Sequence, residues 1–146
     1  MEVTGGPASQ FFDSYRAGFE TMDPDVICDY FAYPCHLTSD AGEVMLSVGA
    51  SRDEWREQIA GLVGLYRAAG VASATALSTS ETELSAGVVQ TGVHWSILDA
   101  AGDQLYDFHA LYTLVRRDDS FKIAAIAFDE LPRLLSVLPA PGGPSA

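Results

Sequence analysis

The apolar periodicity of this chain switches to that of strands near residue 70 and does not switch back before about residue 130. Ahead of the switch, Phe11, Phe12, Tyr15, Phe19 and Met22 recur at three- and four-residue steps, as on one face of a helix. Asp23-Pro24 reads as an N-cap followed by proline at the first helical position. A second, shorter helix carrying Val26, Ile27, Tyr30 and Phe31 is expected there, with Pro34 as its stop. Cys35–Thr38 and Glu43–Leu46 flank the turn-rich Ser39-Asp40-Ala41-Gly42 and predict a hairpin. Ser51-Arg52-Asp53-Glu54 is a capping-box pattern, and it opens a long helix striped by Trp55, Ile59, Leu62, Val63 and Tyr66. Gly70 is its expected stop. Beyond the switch, four strand-like runs span 71–80, 85–98, 104–116 and 121–129, with turns at Gly102-Asp103 and Asp118-Asp119-Ser120. Helices grouped ahead of a strand meander predict an α+β fold rather than α/β. Three N-terminal helices should pack on a strongly bent antiparallel sheet, closing over a small apolar pocket. Residues 1–7 are expected to be a flexible N-terminus, 8–132 a single domain, and 133–146 a tail, flexible from about 139.

Charge narrows the function. Twenty acids against eight bases give a formal charge of −12, and no Lys or Arg occurs between Arg67 and Arg116. Such a surface repels phosphate backbones and anionic bilayers, which argues against nucleic-acid and membrane partners. No run approaches the roughly 20 apolar residues that span a bilayer. The first residues, Met1 to Gly6, carry neither a basic nor an apolar segment, so no signal peptide is read and a cytoplasmic location is expected. Cys28 and Cys35 lack CxxC spacing, and reduced thiols are expected rather than a disulfide framework or a zinc site. No cofactor or metal is expected. The absence of Asn removes any Cys-His-Asn catalytic set.

The element order, together with three local stretches, resembles the nuclear transport factor 2-like superfamily, the cystatin-like α+β cone. The stretch from Phe11-Phe12-Asp13-Ser14-Tyr15 through Met22-Asp23-Pro24-Asp25-Val26-Ile27 is similar to the opening helix pair. Leu111-Tyr112-Thr113-Leu114 with Ser120-Phe121-Lys122-Ile123 is similar to the closing hairpin, and Ala127-Phe128-Asp129-Glu130 to the final strand. The resemblance covers about residues 8–132. It implies a fold that hosts isomerases, cyclases, epoxide hydrolases, dehydratases and non-catalytic binders, so function has to be read from the site. It also implies a homodimer through the exposed sheet face, which an antiparallel face in need of cover supports.

By this resemblance Tyr15 falls where ketosteroid isomerases keep an oxyanion-hole tyrosine, a group able to stabilise a developing enolate. A tyrosine packed on the core face of the first helix is the alternative. The isomerase base would fall at Ser39, with Asp40 one residue on, and the acid partner has no match near Ala110. Asp129 resembles the last-strand acid of the SnoaL-like polyketide cyclases, and a carboxyl at the mouth of an apolar pocket suits acid/base work. Solvated punctuation at a strand end is the alternative. The epoxide-hydrolase branch is set aside, because its activating Arg has no counterpart between residues 68 and 115. His36, His94 and His109 lie on expected strands, with Asp107 on the same face as His109. The candidate catalytic set is therefore Tyr15, Asp129, His109 and Asp107. Phe12, Phe19, Tyr30, Tyr33, His36, Trp55, Trp95 and Tyr112 are the candidate pocket wall. The scarcity of cations fits a neutral, mostly apolar small molecule. Three readings stand open: a small-molecule binder, an isomerase- or cyclase-type enzyme acting on an apolar carbonyl compound, and an interaction module with a filled core.

Overall fold

The computed structural model describes residues 8–139. The expected flexible N-terminus and the end of the expected tail lie outside these described residues. Helix α1, Ser9–Glu20, turns Phe12, Tyr15 and Gly18 inward. Helix α2, Pro24–Cys28, starts where Asp23 accepts a hydrogen bond from the Asp25 N–H at 2.9 Å. It stops earlier than expected. The Tyr30 N–H closes a tight turn on the Ile27 carbonyl, and Phe31 already begins strand β1, Phe31–Asp40. Pro34 thus sits inside a strand, after a cis peptide bond from Tyr33, rather than ending a helix.

Strand β2, Val44–Gly49, closes the hairpin, and helix α3, Arg52–Ala69, follows. Both ends of α3 form as the sequence demands. Ser51 Oγ accepts from the Glu54 N–H, and Gly70 caps the other end in the left-handed region at φ +81°, where a residue without Cβ is favoured. Strands β3 (Val71–Ser85), β4 (Val88–Asp99), β5 (Gln104–Arg117) and β6 (Ser120–Phe128) make the meander. Helix α4, Glu130–Ser136, ends the fold.

The six strands form one sheet in the order β2-β1-β6-β5-β4-β3. The sheet is mixed rather than wholly antiparallel. β1 lies parallel to β6, because the chain leaves the first hairpin, crosses by α3 and the meander, and returns alongside it. All other pairs are antiparallel. Register shifts at Ala76/Ser78, Ile97/Leu98 and Thr113/Leu114 insert extra residues, as bulges that bend a sheet do. Side-chain alternation then sorts the two faces. Val89, Thr91, Val93, Trp95 and Ile97 of β4, with Tyr106, Phe108, Ala110, Tyr112 and Leu114 of β5, point into the core. α1, α3 and α4 cover that face.

The domain runs past residue 132. Leu134 on α4 is fully buried in the core, so the segment expected to be a tail begins as a packed helix. Its apolar pattern, Leu131, Leu134 and Leu135, was too short to separate from punctuation around Pro132. Among the described residues no helix is long and apolar enough to cross a membrane.

Candidate functional site

Between α1, α3, α4 and the inner sheet face lies a cavity of about 280 Å³. Its wall is mostly apolar and rich in rings, among them Phe19, Trp55, Trp95, Phe108 and Phe128. Its rim carries Arg16, Glu20, Gln58 and Ser73. Glu20 Oε2 accepts from Arg16 at 3.1 Å and from the Ala74 N–H at 3.1 Å, tying α1 to β3.

One acid stands inside. Glu130, at the first position of α4, is only 2% exposed and lies on the cavity wall. Tyr66 of α3 donates to both of its carboxyl oxygens, at 2.9 and 2.8 Å, and Tyr106 of β5 donates to Oε2 at 2.7 Å. Burial pushes the Glu130 carboxyl up to about 7, against the pull of the two phenols, and Asp129 beside it adds to the rise. Such a group holds or releases a proton near neutral pH.

Tyr15 lies on the same wall, 6% exposed. Burial raises its phenol well above the ordinary value, and Tyr112 and Glu130 add to this. Tyr112 is fixed from behind by the Trp95 indole, whose N–H donates to its hydroxyl at 2.9 Å. Trp55 carries a buried indole N–H with no partner among the described residues. A buried donor left unpaired is costly, so a hydrogen-bond acceptor brought beside it would be favoured.

Of the expected site residues, Tyr15, Phe19, Trp55, Trp95 and Tyr112 lie on the cavity wall. The other candidates lie elsewhere. Phe12 is buried behind the wall, its ring 4.9 Å from that of Tyr112. The Tyr30 hydroxyl is spent on Ser14 at 2.7 Å, and the Tyr33 hydroxyl donates to the Cys28 carbonyl at 2.8 Å. His36 is exposed on β1. Asp129 misses the cavity too. Its carboxylate accepts from the His109 N–H at 2.8 Å and meets Arg133 at 3.4 Å, at the exposed end of β6.

His109 and Asp107 share a face, as their spacing requires, but it is the outer one. Tyr106, Phe108 and Tyr112 claim the interior, and the intervening residues must point away. There Asp107 meets His94 Nε2 at 2.6 Å, which holds its carboxyl below the usual range, and the His94 and His109 rings stack at 4.1 Å. Among the described residues no three His, Cys, Asp or Glu side chains converge as a metal site.

Glu130 was missed because it follows a more conspicuous strand-end acid by one residue. The change from strand to helix after Phe128 rotates Glu130 inward and leaves Asp129 outside. A signal was present. Tyr66 on the α3 stripe and Tyr106 on the inward register of β5 are phenols bound for burial, and buried phenols need a polar partner.

A family model described as NTF2-like protein (DUF6841) matches residues 3–130. The chain belongs to this NTF2-like family. Solved structures agree on the NTF2-like fold. Aln2 from a Streptomyces species aligns at TM-score 0.68 and 15% identity, covering 88% of this chain and 94% of that one. A protein of unknown function with a cystatin-like fold from Nostoc punctiforme aligns at TM-score 0.68 and 9% identity, with the same coverage. The yeast UBP3-associated protein BRE5 aligns at TM-score 0.61 and 15% identity, covering 82% and 89%. At these identities the likeness establishes the fold alone. No curated protein matches the sequence significantly.

Proposed function

We propose that this NTF2-like protein binds a neutral, mostly apolar small molecule in the cavity between α3 and the sheet. The observation that carries this reading is an aromatic-walled cavity whose inner polar groups, Glu130, Tyr66 and Tyr15, come together at its base. Sites for small molecules combine apolar walls with a few placed polar groups in this way. The unpaired Trp55 N–H supports a ligand that brings an acceptor such as a carbonyl oxygen. The cavity also weighs against an interaction module with a filled core. In a thermal-shift screen of apolar carbonyl compounds and apolar amines, a ligand at 100 times its Kd stabilises the folded state by about 2.7 kcal/mol and raises Tm. A screen without any shift, with no adduct by native mass spectrometry, would contradict the reading.

A second reading, an isomerase- or cyclase-type enzyme, is favoured by Glu130 in place of Asp129, His109 or Asp107. A carboxyl near 7 in an apolar site can exchange a proton with a bound carbonyl compound. Turnover of a bound compound that disappears in Glu130→Gln while binding persists would promote it.

A homodimer through the outer sheet face and a cytoplasmic location complete the proposal. Val44, Leu46, Val48 and Leu111 stand exposed on the sheet, and apolar groups of this kind favour a covering partner. Sedimentation at micromolar concentration should show a dimer, and a monomer alone would contradict it.

A further inference from the structure

The surroundings of Glu130 carry a statement about the ligand's polar end, one that rests on the cavity being a ligand site. Both carboxyl oxygens are met by phenols, the Tyr66 proton shared between them and the Tyr106 proton on Oε2. Above neutral pH Glu130 is a carboxylate, an acceptor-only group that the two phenols serve as donors. What the site lacks is a countercharge. The titratable groups around Glu130 are Tyr15 from α1, Tyr66 from α3, Tyr106 and Tyr112 from β5, and its neighbour Asp129. None of them is a cation. Arg16 is the one Lys or Arg on the cavity wall among the described residues, and it sits at the rim, 36% exposed and bonded to Glu20.

We propose that the ligand is a hydrophobic amine whose nitrogen supplies that countercharge, held as an ammonium against the Glu130 carboxylate. When the amine enters as the free base, the Glu130 O–H bond breaks and an N–H bond forms, so the proton passes from acid to amine and the net charge of the complex is unchanged. The apolar body of the molecule fills the space between Trp55, Trp95 and Phe108, whose ring faces are negative and attract a nearby ammonium. The charge of −12 draws cations toward the protein and repels anions. A carboxylate ligand would face Glu130 across a low-dielectric site. An alcohol would leave its charge unneutralised.

Calorimetric titration of the full chain with 3-phenylpropylamine, 3-phenylpropan-1-ol and 3-phenylpropionate at pH 8 separates these cases. The amine is expected to bind on the order of tenfold tighter than the alcohol, and the propionate not measurably, because an ammonium pairs its charge with the carboxylate where a hydroxyl brings none. In Glu130→Gln the amine should lose that advantage and bind no tighter than the alcohol binds to the same variant. Acidifying from pH 8 to pH 5 should weaken the amine alone, as Glu130 takes up its proton. An alcohol that matches the amine in the unaltered protein overturns the inference and leaves the cavity reading standing, a comparison that needs no variant. An amine unaffected by Glu130→Gln overturns it as well. If none of the three binds, both readings fall.

Discussion

Glu130→Gln is expected to remove a pH dependence of stability that the unaltered protein shows between about 4.5 and 7. The Glu130 carboxyl sits at about 7 in the folded chain against 4.5 ordinarily, with burial as the main cause. Between those values the folded state keeps a proton that the unfolded state has released. Stability therefore falls as pH rises through this window and levels off above 7. The gap corresponds to about 3 kcal/mol over the full window. Glutamine does not titrate, so the variant lacks this loss. Urea denaturation at a series of pH values, taken as variant minus wild type, cancels the other titrating groups. The difference should move by about 3 kcal/mol in the variant's favour between pH 4.5 and pH 8. Parallel curves would mean that Glu130 titrates normally and is better solvated than its 2% exposure implies.

Leu134→Ala should destabilise the protein by about 2–5 kcal/mol, the range for truncating a fully buried leucine. Leu134 has no exposed surface and belongs to the main core. Its loss would loosen α4, the helix that carries Glu130 to Tyr66 and Tyr106, so ligand affinity should fall along with stability. Urea unfolding measures the first effect. A change below about 0.5 kcal/mol, the size of a typical surface substitution, would show that the domain ends near residue 132 and that α4 merely rests on it.

These two positions also mark where the sequence stops being legible. Local chemistry was read correctly where one residue type had one strong reason to be there. Ser51 caps α3, Gly70 ends it in the left-handed region, and Asp23 caps α2 before Pro24. The change of periodicity near residue 70 located the long helix ahead of the meander, and the nuclear transport factor 2-like resemblance agrees with the family match. Features set by distant chain segments were not legible. The parallel partner of β1 is β6, some ninety residues away, and no turn motif encodes that pairing. Pro34 reads as a helix stop, yet the strand holds it after a cis bond.

The candidate site follows the same division. Aromatic residues on clear periodicities, Tyr15, Phe19, Trp55, Trp95 and Tyr112, reached the wall because apolar faces must turn inward. Polar residues had no such rule. The pairing of Asp107 and His109 on one face was readable, but the inward set is decided by which alternate residues are larger and more apolar. On β5 those are Tyr106, Phe108 and Tyr112. Asp129 and Glu130 are adjacent and chemically alike. Only the change from strand to helix after Phe128 decides which of them enters the cavity.

The most direct test of the cavity as the binding site is calorimetric affinity for the best thermal-shift ligand, in the unaltered protein and in Leu62→Trp. Leu62 stands on the cavity wall and is only partly buried, so the larger indole can occupy the ligand's space without displacing the fully buried core. A folded Leu62→Trp protein that binds at least about tenfold more weakly, a loss of about 1.4 kcal/mol, is the predicted result. Unchanged affinity in a folded variant would place the ligand outside the cavity and contradict the account.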